Sequence, residues 1–490
     1  MTFRKALAWS LYGQIISYVV FFGGSVVVAR LLTPHEMGVF AVAIATIGIL
    51  GTLVAFDVGT YVVRAKELAP STIDTAFTIN GLLSVAVASA IYLLSFLEKT
   101  YFDNPDVSKV LAPLALTPLI GMFEFRPSTM LRREMNFRTL ALIGIGKTLV
   151  GTPVAIILTM NGFSFMGLAY SNLVAGLFSM ACVNVVARRH ASLRLSLSEG
   201  RAIAVFGIHM MSIGGMSAIA ARVSDLVLGS MLGLSALGLY SRASSIASIL
   251  FENVYGAITR VVFVRLTDEF RTNGTVRDVF LGSFEMILAL VWPLQIGLAI
   301  LSGPAIYTLY GERWLDAALP LSLLMVAQSV VLCFGMNWEL FVLKNETARQ
   351  VRFEALRAVA GLFTFTIGCL FSLAAAAVGR IADAAFGFFL YQPHMSRMAE
   401  TQPGEFRRVF ARSAVLTAVA VLPSLALMEA TAWSHATPLP FVAAAVLVGI
   451  LLWLAVLTVQ KHPLLAEIQS FGGKFVPRWL GVRTKLEDVK

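Results

Sequence analysis

Ala29-Arg30-Leu31-Leu32-Thr33-Pro34-His35-Glu36-Met37-Gly38-Val39-Phe40 closes the first long apolar run of the chain and opens the second. Two hundred positions on, the sequence reads Gly229-Ser230-Met231-Leu232-Gly233-Leu234-Ser235-Ala236-Leu237-Gly238-Leu239-Tyr240. Leu32 falls on Leu232, Gly38 on Gly238, Phe40 on Tyr240 and Ala43 on Ala243, with no gap. Each copy predicts the same local event. An apolar helix ends, a tight loop turns the chain, and an aromatic residue opens the next helix. An internal repeat of this kind in a membrane protein is the mark of a transporter built from two halves.

Composition makes the membrane reading firm. The chain is 58% hydrophobic and 13% charged, with mean hydropathy +0.80, whereas a soluble domain carries about 25% charged residues. Apolar runs close to the roughly 20 residues needed to cross a bilayer recur along its length. They are continuous, not alternating, so they predict helices and not barrel strands. Cys182, Cys333 and Cys369 all lie inside apolar runs and read as small core residues, with no disulfide framework. Arg4 and Lys5 precede a long apolar run with no small-residue cleavage site, which predicts an uncleaved first span.

The runs predict about fourteen transmembrane helices, the eleventh and twelfth over 358–378 and 381–394. The net charge of +10 tests that reading. Thirty of the 38 lysines and arginines fall in the tails and alternate loops on the side of the N-terminus. Five fall on the other side: Arg30, Lys99, Lys109, Arg313 and Arg380. This is the positive-inside distribution of a polytopic protein with both termini cytoplasmic, and it accounts for the charge without nucleic acid. A second echo, Leu131-Arg132-Arg133-Glu134 against Leu343-Lys344-Asn345-Glu346, sits at an offset of 212. The two echoes pair span one with seven and span four with ten, so each half has six spans and the halves run parallel. The expected organisation is an N-terminal six-helix bundle over 1–200, a second over 201–399, two additional helices over 400–460 and a cytoplasmic tail over 461–490.

Several segments together resemble a known family. They are the Arg30 to Phe40 signature, Asp57-Val-Gly59, Thr75-Ala-Phe-Thr78, the Pro127 to Phe137 stretch with Arg132-Arg133, Gly238-Leu-Tyr-Ser-Arg242-Ala, and Tyr310-Gly-Glu-Arg-Trp314. The chain resembles the Wzx-type polysaccharide transporters of the multidrug/oligosaccharidyl-lipid/polysaccharide exporter superfamily over residues 1–398. That resemblance implies a MATE-like all-α fold of two six-helix bundles facing a central cavity, plus the two C-terminal helices. It implies translocation of undecaprenyl-pyrophosphate-linked oligosaccharide units across a bacterial inner membrane by alternating access. The lipid-linked oligosaccharide and the bilayer are then the expected partners, with a polysaccharide polymerase and chain-length proteins of the same pathway beside them.

Such cargo requires cations in a wet cavity. A charge at mid-helix costs about 2.5–3.5 kcal/mol on insertion scales, so charges that persist there mark a pathway. Arg222, near the middle of span seven, is the leading substrate-binding candidate, since guanidinium grips phosphate oxygens bidentately. The competing reading is an ion pair with Asp225, one turn along the same helix face. Arg242, Arg30 and Lys147 are the further substrate candidates, each weighed against simple snorkelling to an interface. Asp225, Asp57 and Glu339 are the candidates for coupling or gating, because H+- or Na+-driven export needs a carboxylate that changes state. Asp57, beside Gly59, reads equally as a cap at a helix break. Arg222→Ala is expected to lower transport far more than Arg64→Ala.

No cofactor, metal or catalytic constellation is expected, and no Walker loop is present, so the chain is expected not to be an enzyme. Two other classes remain as alternatives. A MATE-type drug/cation antiporter predicts an acidic cavity and twelve spans, and a membrane polymerase or ligase predicts a large external loop with catalytic acids. Charge lining the cavity is the feature that separates the first alternative from the polysaccharide reading.

Overall fold

The computed structural model describes residues 3–54, 58–65, 68–97, 104–190 and 192–465. Among them there is no strand. In chain order the helices are α1 (Phe3–Leu31), α2 (Pro34–Val54), α3 (Val58–Arg64), α4 (Pro70–Leu97), α5 (Pro105–Leu114), α6 (Leu116–Arg133), α7 (Phe137–Leu158), α8 (Phe165–Val186), α9 (Gly200–Leu232) and α10 (Leu234–Leu250). They continue as α11 (Gly256–Asn273), α12 (Arg277–Ile300), α13 (Ser302–Tyr310), α14 (Ala318–Leu332), α15 (Asn337–Leu343), α16 (Thr347–Cys369), α17 (Leu373–Met398), α18 (Glu405–Ala430) and α19 (Leu439–Val459). Eleven helical segments among the described residues are long and apolar enough to cross a membrane. The chain is therefore a multi-pass, all-helical membrane protein.

One sequence expectation needs correction. The turn between the eleventh and twelfth helices lies at 370–372, not at 379–380. The alanine-rich run Leu373–Val378 is apolar enough to look like the end of a span, but it opens α17. Arg380 is thereby removed from the outer loops and placed within α17.

Two compact units are present. The first comprises 1–247, 305–327 and 347–387, and the second comprises 248–304, 328–346 and 388–490.

Within the first unit both copies of the signature behave as helix hairpins. Thr33 and Glu36 form a reciprocal cap at the start of α2. The Thr33 N–H donates to Glu36 Oε2 at 2.7 Å and the Glu36 N–H to Thr33 Oγ1 at 3.3 Å. This satisfies amides that the first helical turn cannot bond, and Pro34 at the first position has no amide to lose. Ser164 Oγ donates to the other Glu36 oxygen and ties the start of α8 to the same cap. In the second copy the turn is made by Gly233, whose φ of +88° is a conformation that glycine adopts without a Cβ penalty.

The two copies also meet. A Cβ on Gly38 would lie 1.8 Å from the Leu234 carbonyl oxygen, and one on Gly238 would lie 1.8 Å from the Pro34 carbonyl oxygen. The N-terminal turns of α2 and α10 thus cross backbone against backbone, each glycine admitting the residue that opens the other helix. Val39, Val42, Ala43, Leu237 and Ala243 around them are fully buried.

The second echo is a pair of helix ends with a shifted register. Met135, after α6, and Asn345, after α15, both take a positive φ, +54° and +58°. The Asn136 N–H returns to the Leu131 carbonyl at 2.9 Å, and the Glu346 N–H to the Phe341 carbonyl at 2.8 Å. The equivalent turns are thus 210 apart, not 212. Glu134 pairs with Arg189 and His190 in the first unit, while Lys344, 210 positions on, pairs with Glu400 at 3.0 Å in the second. The same bracket recurs with its charges reversed.

In the second unit, α12 is held to α18 and α19. Trp453 Nε1 donates to the Ala289 carbonyl at 2.9 Å, and Ala289, Leu416 and Leu457 form a buried cluster. Arg412 bridges Glu285 at 2.9 Å and the Gln460 carbonyl at 2.8 Å.

Candidate functional site

The first unit encloses a cavity of about 420 Å³ between α1, α2, α7 and α8, with Arg242 entering from α10. That size falls in the range of about 300–1,000 Å³ usual for small-molecule sites. Its walls are mainly apolar, with Phe21, Phe40, Met37 and Leu168 among them. Ser25, Thr148, Thr152, Ser171 and Asn172 supply hydroxyl and amide groups. Two cations project there, Lys147 and Arg242, and no carboxylate is among the described lining residues.

The local structure explains why the space exists. Gly151, one turn along α7 from Lys147, approaches α8 so closely that a Cβ would lie 3.0 Å from that of Ala175. Helix pairs joined through small residues pack tightly on one side. Side chains one turn away, such as that of Lys147, then border the gap. Lys147 therefore lines the cavity and is exposed to it, in place of the cytoplasmic edge that snorkelling predicted. Arg242 carries a buried Nε with no hydrogen-bond partner, and Tyr310 lies within electrostatic reach of it. A guanidinium whose buried Nε has no partner, beside a space with no carboxylate among its described lining residues, has the chemistry to suit an anion.

The other sequence candidates are placed differently. Arg222 pairs with Asp225 at 3.5 Å, as the competing reading expected. Its side chain crosses α2 at Gly48, where an added Cβ would lie 2.9 Å from Nε. Gly48 is one turn beyond Ile44 of the cavity wall, so Arg222 stands beside the cavity wall. Arg30 is engaged by protein. Its Nε donates to the Leu309 carbonyl at 2.9 Å and its Nη2 to the Thr308 carbonyl at 2.5 Å. A cation on the last carbonyls of α13 is favoured by the helix dipole. Arg30 also borders a second, open depression with Tyr307, Tyr310 and Arg313. Trp314, fully buried, donates from Nε1 to the Ala29 carbonyl at 2.9 Å and anchors the Tyr310–Trp314 segment to α1.

Of the carboxylates, Asp225 is joined electrostatically to Arg222 and to Arg380 of α17. Glu339 is buried in α15 of the second unit, within reach of Tyr255, whose hydroxyl accepts the Met336 N–H at 2.7 Å. Asp57 lies outside the described residues. Sequence reasoning missed Ser25, Thr152 and Asn172, whose types are unremarkable inside apolar runs. The repeat held a usable signal for one of them, since Ser25 is the mate of Asp225.

Fold and cavity together define a multi-pass helical protein with a cationic pocket among its helices. The chain matches the model of the polysaccharide biosynthesis protein family over residues 27–319, and it belongs to that family. Among its relatives is the succinoglycan biosynthesis transport protein ExoT of Rhizobium meliloti (strain 1021), 25% identical over 332 residues, with 67% of each chain covered. The chain thus spans about two thirds of that relative's length. In fold it is similar to the lipid II flippase MurJ in its inward closed conformation, with a TM-score of 0.75 at 12% identity and coverage of 94% of this chain and 100% of that one. It is also similar to an inward-facing multidrug resistance MATE family transporter of the MOP superfamily, with a TM-score of 0.56, 14% identity and coverage of 79% and 96%. The fold is thus shared between a lipid flippase and a drug exporter, and the site must separate the two.

Proposed function

We propose that the protein is a flippase that moves undecaprenyl-pyrophosphate-linked oligosaccharide repeat units across the bacterial inner membrane for exopolysaccharide, capsule or O-antigen assembly. The observation that carries this reading is the cavity with Lys147 and Arg242 and no described carboxylate. A drug or organic-cation exporter needs the opposite charge. At an effective dielectric near 20, a cation about 4 Å from one anionic charge gains roughly 4 kcal/mol. That is enough to draw a diphosphate headgroup in from the interface. The hydroxyls and Asn172 suit a sugar, and the prenyl chain stays in lipid.

Within this reading Lys147 and Arg242 bind the headgroup and Arg222 waits beside the cavity wall. Arg30 holds the segment that carries Tyr310 against Arg242. Transport alternates access between the two halves, with both termini cytoplasmic. The helices α9 and α16 and the segment 234–273, which holds α10 and α11, would add three crossings to the eleven apolar ones. Asp225 and Glu339 are the carboxylates through which H+ or Na+ would drive the cycle.

Deleting the chain from its host should trap lipid-linked units on the cytoplasmic leaflet. Restoring it with Lys147→Ala/Arg242→Ala should leave export at least tenfold below wild type at equal expression. Normal export and an unchanged lipid-linked pool in the deletion strain would sink the flippase reading. A drug-resistance phenotype dependent on the same two cations would favour the exporter.

A further inference from the structure

The cavity-lining residues of the first half have repeat mates in the second, and those mates are not neutral. The signature gives an offset of 200 for α1 and α2 against α9 and α10. The matched turns before α7 and α16 give 210. For α8 and α17 the offset is 212. Gly167 and Gly379 each approach the preceding helical segment, with an added Cβ 2.9 Å from Thr159 and 2.6 Å from the Thr364 carbonyl. The buried ends Val183 and Ala187 match Met395 and Ala399 at the same spacing.

In these registers Ser25 maps to Asp225 and Phe40 to Tyr240. Lys147 maps to Arg357, Gly151 to Gly361, Leu168 to Arg380 and Ser171 to Asp383. All six mates form one connected cluster in the first unit. Arg357 Nε lies 3.4 Å from Asp383 Oδ1. Gly361 makes room for that carboxylate, since a Cβ there would lie 2.9 Å from Asp383 Cγ. Arg380 Nε donates to the Tyr240 hydroxyl at 3.2 Å and its guanidinium lies 4.4 Å from the Phe365 ring. Arg380 is also within electrostatic reach of both Asp225 and Asp383. Arg222 completes the chain through Asp225, and Glu354 joins it at 3.8 Å from Arg357.

At about 1.5 Å per residue, Arg380 and Asp383 lie about 10 and 15 Å into α17, and Asp225 lies about 10 Å from the end of α9. Arg357 is about 18 Å from the end of α16. All lie about 10 Å or more inside the ends of their helices, and ionisable groups within a membrane-spanning helix are costly and face a pathway or one another. The first half therefore presents an open pocket with one lysine of its own. The second half presents the same pocket filled, three arginines being paired with two aspartates and Glu354 on its own helices. Asp383 is buried, and its Oδ1 makes no hydrogen bond.

We propose that this cluster is a second anion-binding site, latent because Asp225 and Asp383 occupy it in place of an external anion. An incoming phosphate group can take Arg380 and Arg357 only by displacing those carboxylates. The site would accept the same diphosphate class as the first cavity, an identification that rests on the flippase reading. The existence of the site does not rest on that reading.

The test uses the purified full-length protein in detergent and inorganic pyrophosphate, with stoichiometry read by equilibrium dialysis. Wild type should bind one pyrophosphate, lost in Lys147→Ala/Arg242→Ala. Asp225→Asn/Asp383→Asn should bind a second. That second site should survive Lys147→Ala/Arg242→Ala and vanish when Arg380→Gln is added. A monodisperse Asp225→Asn/Asp383→Asn protein that keeps the first site and gains nothing overturns the proposal. Should the double variant not fold, Asp383→Asn alone in the Lys147→Ala/Arg242→Ala background decides. It should bind pyrophosphate at least tenfold more tightly than that background, and equal binding overturns the proposal. Failure of the flippase reading would show separately, as a wild-type protein with no site dependent on Lys147 and Arg242.

Discussion

A Cβ added to Gly238 would lie 1.8 Å from the Pro34 carbonyl oxygen, and one added to Gly38 equally close to that of Leu234. The atoms met are backbone at helix starts, and a side-chain rotation cannot relieve them. Forcing extra volume into a well-packed site costs about 1–3 kcal/mol. Gly238→Ala should therefore lower the thermal unfolding midpoint of the purified protein. Gly23→Ala is the control, because nothing lies within 4 Å of the new methyl there. Glycine inside a helix costs about 0.5–1 kcal/mol relative to alanine, so that change should raise the midpoint or leave it unmoved. Equal midpoints for wild type and Gly238→Ala would mean that the two hairpins are not in contact. Both glycines were visible in the sequence as repeated turn residues. Their mutual packing was not, because a repeat gives equivalence between two places and says nothing of the distance between them.

At the scale of elements, the legible features were those with a local cause. The tight loop in each signature copy and most helix cores follow from residues within a few positions, whereas the cap between Thr33 and Glu36, equally local in cause, was not read. The start of α17 was misread because alanine is equally at home at the end of a span and at its beginning. The same error hid Arg357 and Arg380 from the list of intramembrane charges. The end of α19 shows a further non-local effect. His462 follows the helix and is fully buried there, its Nδ1 accepting the Leu464 N–H at 3.2 Å and its Nε2 lying 3.5 Å from Glu285 Oε1. Burial, and then the nearby Arg412 cation, push its pKa down from 6.5 to about 4. The folded protein thus holds the ring neutral while an unfolded chain would protonate it. This stabilising contribution is intact above pH 6.5 and is lost progressively as pH falls toward 4. His462→Asn, which retains an acceptor for the Leu464 amide, should flatten the fall in unfolding midpoint between pH 7 and pH 4.5. An unchanged pH slope in that variant would show that His462 does not carry it.

For the molecule as a whole, parallel halves follow from an even number of spans per half, and even counts follow from where lysine and arginine fall. Moving Arg380 into α17 removes one of the five charges assigned to the outer side, and Arg357, inside α16, leaves the thirty of the inner side, so the asymmetry stands. The cationic cavity was less legible. Lys147 and Arg242 were visible as charges inside apolar runs, but nothing local brings α7 and α10 to one pocket, and Arg222 was ranked above both for its central position in a span. Parallel halves make a prediction independent of transport. His35 and Ser235 occupy equivalent exposed positions, and Arg188 and Asn345 are exposed at helix ends predicted to lie on the opposite face. Single cysteines at these four positions, in a chain freed of Cys182, Cys333 and Cys369, can be probed with a membrane-impermeant maleimide. Positions 35 and 235 should label in intact cells stripped of their outer membrane, and 188 and 345 only after the inner membrane is opened. Labelling of 35 without 235 would place the two signature turns on opposite faces and make the halves antiparallel. It would also break their pairing across Gly38 and Gly238, since two turns on opposite sides of a bilayer core about 30 Å thick cannot touch.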